Sequence, residues 1–312
     1  KLQSEIDALT KKNNFLTEMA LNYKAGNYKE AVKQYSAAIK KSKDSDFYLG
    51  RARSYVKLNE SSDAIKDFST AYDLDNENLA ALEERADLYR SLGDAVTGSK
   101  KIGDKKDYYI KSLRDYIAYL NLNKKNIRIY EACSELQILL YNNIDDAIKA
   151  LDDGLNADSK AKSLYYRKGL LLMDKKDFRK ADINFTSALK IDSTFALAYY
   201  HRGVCQLDFN NVESAAENFN SARRHHLPEE YIGKIKTFAE SFSQRSLSDF
   251  GAGKADIAIE AINDAIAIDP YNSNYYYYKG NYLNAIKQYP AAIENYDKAI
   301  ELKPEFTDAF YS

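Results

Sequence analysis

The sequence has no tryptophan, two cysteines, three histidines, four prolines and twelve glycines among its 312 residues. So few turn formers exclude an all-β fold with its many tight turns, and the abundance of Ala, Leu, Ile, Lys, Asp and Glu points to helix. Cys133 and Cys205 lie far apart in apolar helical contexts, which excludes a disulfide framework and predicts two small buried thiols. His201, His225 and His226 have no cysteine or acid at zinc-ligand spacing, so no metal site is expected. Neither sign of charge prevails: 45 basic residues face 46 acidic ones, which leaves no broad field for nucleic-acid phosphates or an anionic membrane. No run approaches the roughly 18 apolar residues of a spanning helix, and the opening KLQSEIDALTKKNN has no signal-like apolar stretch. The numbering begins at Lys1 rather than Met, and the sequence assigns no compartment. A chain of this length is long for one core, so two domains or a repeat array is expected.

Self-comparison decides for the array. The pattern Ala-x-x-x-aromatic-x-x-Ala occurs around Ala31, Ala64, Ala181 and Ala292, with weaker copies centred on Ser112, Ala147, Ala215 and Ala258. Successive separations are 33, 48, 35, 34, 34, 43 and 34 residues, a period near 34 with two insertions. Upstream of the stronger copies a second segment begins at Tyr48, Leu82, Tyr165, Tyr199 or Tyr276, and four residues later in each comes a small residue: Ala52, Ala86, Gly169, Gly203 or Gly280. Apolar residues in both segments recur at helical spacing, so each repeat reads as two helices, A and B, with the small residue where the axes come closest.

Tyr276, Gly280, Ala292, Tyr296, Ala299 and Pro304 together resemble the tetratricopeptide repeat, and Pro270 ends the preceding copy in the same way. The chain departs from that pattern in having Tyr or Leu at the large first position, and in the poor match of the copies around Ser112 and Ala147. Pentatricopeptide arrays share the period, but their RNA-reading surfaces are basic, and the charge balance disfavours them. The resemblance implies an all-α fold, a right-handed superhelix (α-solenoid) of about eight helix-turn-helix repeats. It also implies helices A lining a concave groove that holds a protein or peptide, with no cofactor and no catalysis. The array is expected over 12–305, after a lead-in at 1–11 and before a further or capping helix at 306–312.

Helix A positions outside the packing pattern are the candidate partner-binding residues. In the N-terminal half they are Tyr23, Leu49, Arg53, Glu83, Asp87 and Arg90, a charged lining. Further on they are Tyr166, Leu170, Tyr200, Val204, Tyr277, Asn281 and Asn284, an aromatic and amide lining. The insertion near 96–109 reads as an exposed basic loop carrying Lys100, Lys101, Lys105 and Lys106. The one near 229–239 reads as an extended helix A that separates six repeats from two. The carboxylate clamp with which some members of the family hold Hsp70 or Hsp90 tails is not matched, because Met19-Ala20 and Gly50 stand at its positions. No P-loop, dinucleotide fingerprint or nucleophile elbow is present. The expected function is a scaffold or adaptor for a protein partner; the alternative is a structural or regulatory module that positions another domain.

Overall fold

A computed structural model describes residues 2–97, 102–305 and 309. Among them are sixteen helices and no strand, in two compact units that divide at 159/160. The first unit holds α1 (Leu2–Lys24), α2 (Tyr28–Lys41), α3 (Ser45–Lys57), α4 (Ser61–Leu74), α5 (Leu79–Ala95), α6 (Ile102–Leu122), α7 (Ile127–Tyr141) and α8 (Ile144–Ala157). The second holds α9 (Lys162–Asp174), α10 (Phe178–Ile191), α11 (Ala196–Asp208), α12 (Val212–Arg224), α13 (Glu229–Gly251), α14 (Ala255–Ile268), α15 (Ser273–Ala285) and α16 (Tyr289–Leu302). Odd-numbered helices are the A members of eight pairs and even-numbered ones the B members. Within each unit every pair packs internally and against the next, the pattern of an α-solenoid.

The register of the repeat is the register of the core. Ala31, Ala64, Ser112, Ala147, Ala181, Ala215 and Ala258 are fully buried and Ala292 nearly so, one on each B helix. Four residues on, a large side chain of the B helix reaches the small residue of its A helix. A Cβ on Gly169 would stand 2.5 Å from the Phe185 ring, one on Gly203 2.7 Å from Phe219 and one on Gly280 2.5 Å from Tyr296. Glycine is required at these places because the rings fill the space a methyl would take. Seven residues past each buried Ala or Ser the seam toward the next pair is again small (Ala38, Ala71, Gly154, Ala188, Ala222, Ala265 and Ala299), except on α6, where Tyr119 occupies it.

Seven turns from A to B helices share one device. Gly26, Asn59, Asn142, Lys176, Asn210, Gly253 and Lys287 all have φ between 49° and 81°, the left-handed conformation that closes a helix C-terminus. Glycine and asparagine are at ease there; the two lysines carry a Cβ clash. Pro270 and Pro304 follow α14 and α16 by two residues, where no further helical N–H is needed.

Both insertions add helix. Of the loop expected at 96–109, residues 102–109 belong to α6, 96 and 97 are not helical, and 98–101 lie outside the described residues; α5 has 17 residues and α6 21, while most other members have 13 or 14. A gap in the period does not distinguish a loop from added turns, and IGDKKDYYIKSL contains no proline to stop a helix. Lys105 and Lys106 lie on α6, over the rings of Tyr109 and Tyr141 at 5.6 and 5.5 Å, and Lys100 and Lys101 lie outside the described residues. The 23-residue α13 begins after Pro228 with Glu229 and Glu230 in its first turn, where acids favour the helix dipole. It lies inside the second unit, whose boundary with the first falls after four pairs. The N-terminal lead-in is continuous with the first A helix, since α1 runs unbroken from Leu2 to Lys24. Of the further helix expected at 306–312 only Ala309 is described, as helical and buried; the remainder lies outside the described residues.

Candidate partner-binding surfaces

In the first unit the charged candidates are tied to one another from one A helix to the next. Arg53 on α3 reaches Glu84 on α5 at 2.5 Å. Arg128 on α7 reaches Glu83 at 2.5 Å and Asp87 at 3.0 Å on α5, and Arg90 on α5 pairs with Glu135 on α7. Asp87 also accepts the buried Tyr116 hydroxyl from α6, and Glu83 accepts the Asn126 amide. These contacts hold the arginines further toward the charged form, Arg53 chiefly through its bonds to Glu84. Leu49 is 7% exposed and packs in the core with Ala52 and Phe68, which corrects its reading as groove lining. It faces inward because α3 is packed by α2, α4 and α5, leaving a narrow free stripe. Tyr23 is half-buried, its ring 5.4 Å from Tyr28 across the first turn.

A second set of contacts is repeated along the chain, and the spacing rule missed it. The residue before the small position on helix A is basic in five repeats: Arg51, Arg85, Lys168, Arg202 and Lys279. Arg51 donates to Asp67 on α4 in a two-toothed pair at 2.7 and 2.8 Å and to Ser36 on α2 at 3.0 Å, joining three helices. Arg85 does the same with Asp115 at 2.7 and 2.9 Å and Ser69 at 2.8 Å. In the second unit Arg202 meets an amide instead, donating to Asn218 at 2.6 Å. An Arg and an Asp or Asn sixteen residues apart (51/67, 202/218) was the available signal.

The second unit's candidates sit on an aromatic seam. Tyr166 on α9 lies 5.8 Å from Phe185, 4.8 Å from Phe195 and 5.7 Å from His201. Tyr200 on α11 meets Tyr231 on α13 at 4.8 Å and Phe219 at 5.9 Å. Burial pushes the Tyr166 phenol above its usual value and the Tyr200 phenol to about 12. Tyr200 is only 5% exposed, so it is core and not groove lining: the longer α13 brings Tyr231 over it. His201 is stacked on Phe185 at 5.6 Å, its Nδ1 is buried without a hydrogen-bond partner, and burial, then nearby Lys234, lowers its pKa to about 4. Leu170, Val204, Tyr277 and Asn281 are half-buried and Asn284 is exposed. Asn281 accepts the Tyr296 hydroxyl at 2.8 Å, and the Tyr277 ring lies 6.1 Å from that of Tyr296.

Other singled-out residues have structural surroundings. Cys133 and Cys205 are buried and their thiols are pushed up to about 12 by desolvation. Met19 and Gly50, at the clamp positions, are buried, and a Cβ on Gly50 would meet the Tyr35 ring at 2.2 Å. Asn184 of an Asn-Phe-Thr triplet is inside α10, donating to the Lys180 carbonyl at 2.8 Å. Among the described residues no group of three His, Cys, Asp or Glu could hold a metal, and no helix is long and apolar enough to cross a membrane.

Eight consecutive helix pairs among the described residues, four of them with a glycine of helix A under a ring of helix B (Gly93/Tyr109, Gly169/Phe185, Gly203/Phe219 and Gly280/Tyr296), define an α-solenoid repeat protein. The tetratricopeptide-repeat model matches residues 49–96 and 244–305, and a second model of the same repeat matches 163–195. The chain is a tetratricopeptide-repeat protein. Comparison with curated proteins gives no match. Among solved structures, the C-terminal part of a TPR repeat-containing protein from Cytophaga hutchinsonii is 17% identical, with a TM-score of 0.52 over 95% of this chain and 98% of that one. PilF of Pseudomonas aeruginosa is 12% identical, with a TM-score of 0.50 over 72% and 96%. YrrB, described as a TPR protein with an unusual peptide-binding site, is 18% identical, with a TM-score of 0.48 over 65% and 97%. Proteins of this family are in general non-catalytic scaffolds for protein partners.

Proposed function

We propose that the chain is an adaptor that holds a segment of a protein partner on the A helices of its second unit, through Tyr166, Leu170, Val204, Tyr277, Asn281 and Asn284. The observation that carries this is the difference in what the candidate residues already do. In the first unit Arg53, Glu83, Asp87 and Arg90 are joined in ion pairs between A helices. A partner there would have to break charge pairs before making its own contacts. In the second unit the corresponding positions present half-buried rings, aliphatic carbons and amides, which offer contact area with adjustable hydrogen bonding at little desolvation cost.

The test is affinity capture from native extract followed by cross-linking and mass spectrometry, comparing the wild-type chain with a Leu170→Glu, Val204→Glu, Asn284→Ala variant of unchanged helicity. Partners lost in the variant, with wild-type cross-links confined to α9, α11 and α15, are expected. Partners retained in full by the variant would overturn the assignment.

A further inference from the structure

Three of the contacts proposed in the second unit, Leu170, Val204 and Asn281, each follow directly on the glycine of an A helix. Over each glycine lies a ring from the B helix of the same pair: Phe185 over Gly169, Phe219 over Gly203 and Tyr296 over Gly280. The two phenylalanines end in carbon with no proton to give, and the residues after their glycines are aliphatic. Tyr296 is 6% exposed and ends in a hydroxyl, which donates to Asn281 Oδ1 at 2.8 Å. The first unit uses the same device once more, where Tyr109 lies over Gly93 and its hydroxyl donates to the following Asp94 at 2.7 Å. A buried phenol needs an acceptor, so a ring that carries a hydroxyl goes with a polar residue after the glycine.

That bond fixes which way the amide points. Asn281 carries an oxygen and an NH2 on one short side chain. With the oxygen turned to Tyr296 the nitrogen is turned away from it, and among the described residues nothing accepts from that nitrogen. Asn281 is half-buried, and it shares one stripe of α15 with Tyr277 and exposed Asn284, at i−4 and i+3. The stripe is about 10 Å long. Asn284 has no such tie among the described residues and can turn its amide either way; Asn281 offers donors only.

We infer that Tyr296 is a positioning residue of this surface: it holds the Asn281 amide with its N–H groups outward, so that the partner atom meeting Asn281 is an acceptor oxygen, of a main-chain carbonyl or of a carboxylate. The inference rests on the partner surface proposed above and adds its hydrogen-bonding polarity at one point. A partner that brought an N–H to the same place would set donor against donor and leave both unsatisfied.

Probes come from a phage-displayed library of random dodecapeptides selected on the full wild-type chain; enriched peptides are synthesised with fluorescein and titrated by anisotropy. Asn281→Asp keeps an acceptor for the Tyr296 hydroxyl and removes both donors, so binding is expected to weaken about tenfold or more. With the amide in the opposite orientation the same change would leave binding intact. Tyr296→Phe frees the amide to turn, which should weaken binding about twofold by halving the donating population. It should also raise the mobility of the Asn281 side-chain amide in 15N relaxation, which a purely structural role of the ring would not move. Replacing the acids of each peptide by their amides separates the two sources, since lost binding identifies a carboxylate and unchanged binding a main-chain carbonyl. Binding indifferent to Asn281→Asp, or an Asn281 amide as ordered in Tyr296→Phe as in the wild type, would overturn the inference. Peptides lost on Leu170→Glu, Val204→Glu but held normally by Asn281→Asp would leave the surface standing and remove only its assigned polarity. No enriched peptide, or peptides indifferent to every one of these variants, would remove both.

Discussion

The two units fill one repeat frame with different chemistry. In the first, α3, α5 and α7 are joined by guanidinium–carboxylate pairs, and Arg51 and Arg85 are held by ionised partners. In the second, α9, α11 and α13 are joined by rings, and Arg202 is held by an amide. The frame asks only that small residues occupy the A–B contact and that something span neighbouring A helices. Charge pairs are directional and exclude competitors, whereas rings leave area to share. Two units of equal repeat number can therefore share a fold and differ in what they bind.

The largest effect that would sharpen the contrast is expected from removing one partner of a buried pair. Asp115→Ala strands Arg85, whose side chain is 13% exposed beside an Asp115 that is 3% exposed. It should lower local stability around α5 and α6 by about 3–5 kcal/mol. Asn218→Ala in the second unit should cost about 1–2 kcal/mol, since an amide bond rather than an ion pair is lost. Amide hydrogen exchange resolves the two regions separately; equal losses would break the comparison.

Acid should act on the second unit through His201. Its folded pKa, about 4, lies below the ordinary value of 6.5, so between those values the unfolded chain binds more protons. The His201 contribution to stability is intact above pH 6.5 and is lost as pH falls through 4, by about 3 kcal/mol in all. His201→Phe should flatten that part of the pH profile measured for exchange in α9 to α13. A profile unchanged by the substitution would show that the ring does not titrate as its surroundings imply.

Salt should act on the first unit instead. Raising ionic strength to about 1 M should weaken the partly exposed Arg53–Glu84 and Arg128–Glu83 links by about 1 kcal/mol together, with little change in the aromatic seam. The smallest effect separates the turns. Lys176→Gly and Lys287→Gly should each stabilise the second unit by about 0.5–1 kcal/mol by removing a Cβ from a left-handed position. In the first unit the described left-handed turn positions are Gly26, Asn59 and Asn142, residues at ease there, so the same substitution has less to gain. Thermal melts of the single variants check both.

Much of this frame was legible in the sequence because burial imposes a strict period. The Ala and Ser markers fell on the eight B helices, and Gly169, Gly203 and Gly280 on close contacts. Added length was less legible: spacing counted the residues in 96–109 but did not say whether they were loop or helix. For the candidate surfaces, helical phase brought out the A-helix stripe without showing how wide it is. Leu49 and Tyr200 fell on the wrong side of its edge because three neighbouring helices, or an unusually long one, cover them. The Arg–Asp seats were missed because they lie in a polar pattern that no hydrophobic period reports, and Tyr119 was passed over as one more tyrosine among 27.

The lengthened α5–α6 hairpin has a mechanical consequence. With α6 about seven residues longer than a typical B helix, its first turns add about 10 Å of helix to the pair. Those added turns act as a brace rather than a free end, because Lys106 near their start lies over the Tyr141 ring at the end of α7.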